Sequence, residues 1–161
     1  MSDLEIAQER IAACRRDHTP TLSLMDLELN IIPNEVFELT WVQTLDLEGC
    51  GLTELSPKIA ALKHLRILDV RKNKLSAVPP EIGQLTRLRQ LELSENQLRK
   101  LPPEIGQLTG LSGLYLADNR LSTLPLELAQ LKLLSYDFTT GNNLSEPLGA
   151  MCTRGWLKLQ A

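Results

Sequence analysis

Leu65-Arg66-Ile67-Leu68-Asp69-Val70-Arg71-Lys72-Asn73-Lys74-Leu75 is the stretch that decides the fold of this chain. Leu68 and Val70 alternate with Ile67, Asp69 and Arg71, the period of two expected of a strand. Asn73 follows at a turn, and Leu75 turns back into the core. Downstream, Val78-Pro79-Pro80-Glu81-Ile82-Gly83-Gln84-Leu85 opens a new segment at its prolines. There Ile82 and Leu85 lie three apart, on one helical face. The same unit starts at Thr19, Val42, Leu65, Leu88 and Leu111, each 23 residues after the last. A fixed period of this size means stacked repeats, each a short strand, a turn and a short helical segment.

The repeat fills its inward columns with aliphatic residues. One strand column holds Leu22, Leu45, Leu68, Leu91 and Leu114, and the next Leu24, Leu47, Val70, Leu93 and Leu116. Leu29, Leu52, Leu75, Leu98 and Leu121 follow the turn, then Ile32, Leu55, Val78, Leu101 and Leu124. The helical side adds Val36, Ile59, Ile82, Ile105 and Leu128, then Leu39, Leu62, Leu85, Leu108 and Leu131. No single repeat can bury such a ridge, so neighbours must stack, with their strands paired in parallel. Asn73, Asn96, Asn119 and Asn142 recur where a buried turn would leave backbone groups unpaired. Cys50 takes that place in the second copy, as a weak and structural partner. Leu27 takes it in the first, where a distorted turn is expected.

Composition narrows the function. The 161 residues carry a net charge of −3, which argues against a general binder of nucleic-acid backbones. No run approaches the roughly 18 apolar residues of a membrane span. The N-terminus, Met1-Ser2-Asp3-Leu4-Glu5, has neither the basic flank nor the apolar run of a secretory signal. Three cysteines, Cys14, Cys50 and Cys152, suit reduced thiols in a cytoplasm. His18 and His64 sit at no metal-ligand spacing, and no phosphate-binding loop or nucleophile elbow occurs. The expectation is therefore no enzyme, no cofactor and no metal.

These residues resemble leucine-rich repeats. The pattern Leu-x-x-Leu-x-Leu-x-x-Asn-x-Leu is matched from Leu65, Leu88 and Leu111, and from Val42 with Cys50 in the Asn place. The second halves, from Val78 and from Leu101, resemble the intracellular 23-residue subtype of Ras-linked scaffold, Roco-type and many bacterial proteins. The resemblance covers residues 19–144. It implies an α/β leucine-rich-repeat solenoid, a curved right-handed superhelix. Its parallel sheet would line the concave face, with short helices on the convex face. It also implies intracellular signalling, with a small GTPase or another signalling protein among the implied partners. Residues 1–18 are expected to form an N-terminal helical cap, with Leu4, Ile6, Ile11 and Ala12 covering the first repeat. Residues 145–161 are expected to form a C-terminal cap, after an irregular sixth copy in which Tyr136 and Phe138 replace leucines.

The outward strand positions point to a docking face. The central column reads Ser23, Asp46, Asp69, Glu92, Tyr115, Asp137, and the two beyond it contribute Asp26, Glu48, Arg71, Lys72, Glu95 and Asp118. Eight acids meet two bases there, so the face is acidic and the rest of the chain net positive. Neighbouring carboxylates on adjacent strands should raise one another's pKa. The expected partner-binding set is Asp46, Glu48, Asp69, Arg71, Lys72, Glu92, Glu95, Tyr115, Asp118 and Asp137, with Tyr115 as the anchor. Acids that merely keep the face soluble are the bland reading. The expected role is a monomeric, non-catalytic protein-binding module or scaffold for a partner with a basic or mixed surface. The alternatives are a target-recognition domain of a larger enzyme and a self-associating module.

Overall fold

A computed structural model describes residues 1–144; the expected C-terminal cap lies outside the described residues. Six three-residue strands form one parallel sheet in chain order. They are β1 (Thr21–Ser23), β2 (Thr44–Asp46), β3 (Ile67–Asp69), β4 (Gln90–Glu92), β5 (Gly113–Tyr115) and β6 (Ser135–Asp137). Pairing keeps the repeat phase, with Leu22, Leu45, Leu68, Leu91 and Leu114 side by side. The central residue of these five strands is buried while its outward neighbours, Gly113 beneath Tyr115 excepted, are not, because successive side chains of a strand point to opposite faces. The architecture is the stacked-repeat solenoid that the periodicity predicts, and it agrees with what the resemblance implies.

The helical halves are single 3-10 turns, at Asn34–Glu38, Pro57–Ala61, Pro80–Gln84, Pro103–Gln107 and Leu126–Gln130. Each closes through i→i+3 bonds, as in Ile82 N–H to Pro79 C=O at 3.1 Å and Leu85 N–H to Ile82 C=O at 3.1 Å. Five residues suffice for one tight turn that aims Ile82 and Leu85 inward, and proline at the start costs no needed donor. Consecutive turns stack closely. A Cβ on Gly83 would stand 2.6 Å from the Glu104 carbonyl, so only glycine allows that approach.

One α-helix, α1 (Asp3–Asp17), precedes the sheet. Ser2 and Glu5 form a capping box at its start, and His18 ends it in a left-handed conformation. Its buried stripe is Ala7, Ile11 and Cys14, packed against β1. Arg10 reaches over to donate to the Ser23 carbonyl at 3.2 Å. Leu4 and Ala12, expected on the covering face, are instead exposed: Ala12 lies off the stripe through Ala7 and Ile11, and Leu4 lies on it but at the first turn of the helix.

The asparagine column is a hydrogen-bond ladder. The Asn96 side-chain amide donates to the Val70, Leu93 and Ser94 carbonyls, while its oxygen accepts the Leu75 N–H at 3.0 Å. Asn73 and Asn119 repeat this pattern, each tying its own turn to the preceding repeat. Cys50 reproduces only the donor half: its thiol reaches the Leu24 carbonyl at 3.1 Å and the Glu48 carbonyl at 3.6 Å. Burial pushes that thiol up to about 11, which suits a structural proton donor. With no amide oxygen there, the Leu29 N–H turns to the Leu27 and Cys50 carbonyls. The first turn also carries a left-handed residue, Asn30, with no left-handed counterpart at positions 53, 76, 99 and 122, as its missing asparagine foretells.

Asn96→Ala should cost about 1–3 kcal/mol by orphaning buried backbone groups. Cys50→Ala should cost less, because a thiol is the weaker donor. Leu91→Ala should cost roughly 2–5 kcal/mol as a core cavity. Urea unfolding of the three variants checks the order, and Cys50→Ala as damaging as Asn96→Ala would contradict the ladder.

Candidate functional site

The exposed side of the strands carries Ser23, Asp46, Asp69, Glu92, Tyr115 and Asp137 in direct register across all six strands. Each is half-buried, shielded by its neighbours in the row. The Ser23 hydroxyl donates to Asp46 at 2.9 Å, and Asp46 also accepts the Glu48 N–H at 3.1 Å. Asp69 accepts the Arg71 N–H in the same way, at 3.1 Å, and pairs with the Arg71 Nε at 3.3 Å. The Glu92 carboxylate has no hydrogen-bond partner among the described residues. At the far end Tyr115 donates its hydroxyl to Ser135 at 2.6 Å, bending over the glycine at 113. Asp137 accepts the Thr140 N–H at 3.2 Å.

Glu48 is the exception to the acidic row. It is 7% exposed and takes Arg71 Nη2 on one oxygen and Lys72 Nζ on the other, both at 2.8 Å. Those two donors hold its carboxyl below the usual range, Lys72 first and Arg71 second. Both bases of the face thus bond Glu48, and Arg71 is shared between it and Asp69. Asp46, Glu48 and Asp69 bring oxygens within 4.8 Å of one another, with Arg71 and Lys72 already answering that charge.

Asp69 and Glu92 are shifted upward. Burial is the larger cause in both, and carboxylate repulsion adds to it: Asp69 is the next contributor at Glu92. Desolvation thus outweighs the mutual repulsion expected from the sequence. Lys72, Glu95 and Asp118 follow the strands with positive φ near 55°, in a column shared with Asp26, Gly49 and Gly141. Glycine occupies the same conformation at both ends, so the backbone geometry belongs to the repeat and not to a ligand. Gly141, not Thr140, continues the column of Asp118. β6 begins only 22 residues after β5, and the extra residue before Asn142 restores the phase.

The basic excess lies elsewhere. Lys63, Arg66, Arg87 and Arg89 are all exposed at the loops leading into β3 and β4. The Ser23 and Ser135 contacts were not foreseen from the sequence, since a serine beside an acid carries no signal until strand register is known. The Glu48 clasp was signalled by opposite charges 23 and 24 residues apart.

Protonation separates the acids. Glu48, depressed in the folded state, adds stability above its unfolded pKa and loses it as pH falls through the folded value. Asp69 and Glu92, raised, oppose folding when ionised, and that penalty fades as pH falls through their raised values. Glu92→Gln should therefore raise the melting temperature near neutrality, with the gain gone by about pH 4. Glu48→Gln should lower it near neutrality, with a deficit that shrinks in acid. Thermal melts across that range check both signs.

A leucine-rich repeat family model matches residues 40–98. No curated protein matches the chain. Among solved structures, a Leptospira interrogans leucine-rich-repeat protein is 39% identical, with a TM-score of 0.74 over 77% of this chain. The chain spans 32% of that protein's length. A chain of the BIR3–SERK2 complex from Arabidopsis thaliana is 33% identical, covering 79% of this chain and 70% of that one, with a TM-score of 0.65. The ectodomain of the receptor kinase SOBIR1 from the same plant is 32% identical, covering 70% and 64%, with a TM-score of 0.61. With five in-phase strands and a sixth paired beside them, an asparagine ladder and a 33% identical relative matched over most of both chains, this protein belongs to the leucine-rich repeat family.

Proposed function

We propose that the chain is a non-catalytic protein-binding module whose acidic sheet face docks the basic or mixed surface of another protein. The observation that carries the reading is the Asp69–Glu92 pair. The two carboxylates are register neighbours, half-buried and shifted upward although Arg71 reaches Asp69, and among the described residues both bases of their face give their shorter bonds to Glu48. A lysine or arginine from a partner would relieve both burial and repulsion, and the negative row would steer its approach. Glu95, Asp118 and Asp137 extend the acidic row, and Tyr115, already oriented by Ser135, supplies a rigid amphipathic contact. In this reading α1 serves as the N-terminal cap, and the chain works as a monomeric scaffold in cytoplasmic signalling. Buried free thiols at Cys14 and Cys50 agree with a reducing compartment.

A second reading makes the chain the recognition unit of a larger protein. It is favoured by the short span of this chain within the Leptospira relative and by the receptor-kinase ectodomain among similar structures.

Asp69→Lys combined with Glu92→Lys should abolish partner capture from source lysate, with the melting temperature unchanged or raised. Comparison of native and variant captures by mass spectrometry reads this out. An identical protein set on both would remove the acidic face as the site.

A further inference from the structure

A second surface lies at the first repeat, away from the acidic row. The start of α1 and the segment following β1 enclose an open groove of about 360 Å³, within the size range of ligand-accepting clefts. Leu29 and the buried Ile32 line it, and Leu4 and Ile31 stand on its walls, 53% and 64% exposed. Neither exposed residue is demanded by the fold. Ile31 occupies a repeat position that holds Glu54, Ala77, Lys100 and Thr123 in the next four copies. Leu4 continues the Ala7–Ile11–Cys14 face of α1 one turn toward the helix start, where it is left exposed. The groove is also held in shape: Asp3 accepts the Glu28 N–H at 2.8 Å, fastening the helix start to the turn.

Charge names the occupant. The two charged lining residues, Glu28 and Glu35, are both acids, both exposed, and in no ion pair among the described residues. The nearby Lys58 is turned onto the Asn34 side-chain oxygen at 2.7 Å. Two adjacent exposed aliphatic side chains lose free energy by staying in water, and an acidic rim repels anionic lipid. We propose that this groove docks a protein segment that places apolar side chains against Leu4 and Ile31 and a flanking lysine or arginine against Glu28 and Glu35.

The test uses the full chain and a fluorescein-labelled leucine–lysine peptide, with a leucine–glutamate peptide as its counterpart, read by anisotropy. Leu4→Gln with Ile31→Thr should weaken leucine–lysine binding at least about tenfold, the scale of losing one buried aliphatic contact. The native melt should be kept, since both positions are exposed. Glu28→Lys with Glu35→Lys should weaken the same peptide and admit the leucine–glutamate one, which keeps the test valid if the first variant folds poorly. Asp69→Lys with Glu92→Lys should leave a groove-bound fraction that the groove variants remove, separating this site from the sheet face. The proposal is overturned if the native chain binds neither peptide, if it binds both equally, or if only the face variant loses binding. It is also overturned if light scattering shows a native dimer that the groove variant dissolves, or if phosphatidylserine vesicles capture the native chain.

Discussion

The structure depends on satisfying the buried backbone of its turns. Each repeat must reverse from strand to helical half within a few residues, next to an aliphatic core that offers no hydrogen bonds. One asparagine per repeat meets that need from both sides, donating to carbonyls of its own turn and the previous repeat and accepting one N–H. Because every such bond set spans two repeats, the ladder fixes the stacking register as well as the turn. Aliphatic columns alone would tolerate sliding, since leucine meets leucine at several offsets. The amides do not, because a shifted copy would leave three carbonyls and an amide N–H unpaired.

The ends show the rule by its exceptions. Cys50 keeps the donor half, and the chain answers the lost acceptor by bending the first turn onto its own carbonyls. Asn142 keeps both halves although its repeat is out of step. Its amide reaches Phe138, four residues back, where Asn73 and Asn96 reach three. Asp137 likewise accepts from three residues on, where Asp46 and Asp69 accept from two. The extra residue is absorbed locally so that the ladder contact survives.

Fold was written plainly in the chain because period is a property of sequence alone. Strand positions, core columns and the asparagine role all follow from a 23-residue phase. Details set by three-dimensional closure were less visible. The helical half gives Ile82 and Leu85 three apart, which fits an α-turn and a 3-10 turn alike. The helix before the first repeat offered two apolar stripes, and only contact with β1 selects Ala7, Ile11 and Cys14. On the acidic face the sign of the charge was legible, but its partition was not. Opposite charges a repeat apart showed that bases were near. Depth decided that Glu48, the most buried acid, would take both.

That partition governs what the face can do. Had Arg71 and Lys72 both been turned from Glu48 onto Asp69 and Glu92, the row would be a self-neutralised surface with little to gain from a partner. Hydrogen bonds from both cations instead satisfy Glu48, the least exposed acid among the described residues. This leaves the next two strands negative, partly dehydrated and rigidly spaced. A repeat scaffold makes this economical, because outward side chains can vary without touching the ladder or the columns beneath them. In the proposed reading, the electrostatic penalty at Asp69 and Glu92 is a source of affinity for a cation presented in the right register. In that reading, specificity would reside in how charge is distributed along the row, on a fold that the columns and the ladder hold.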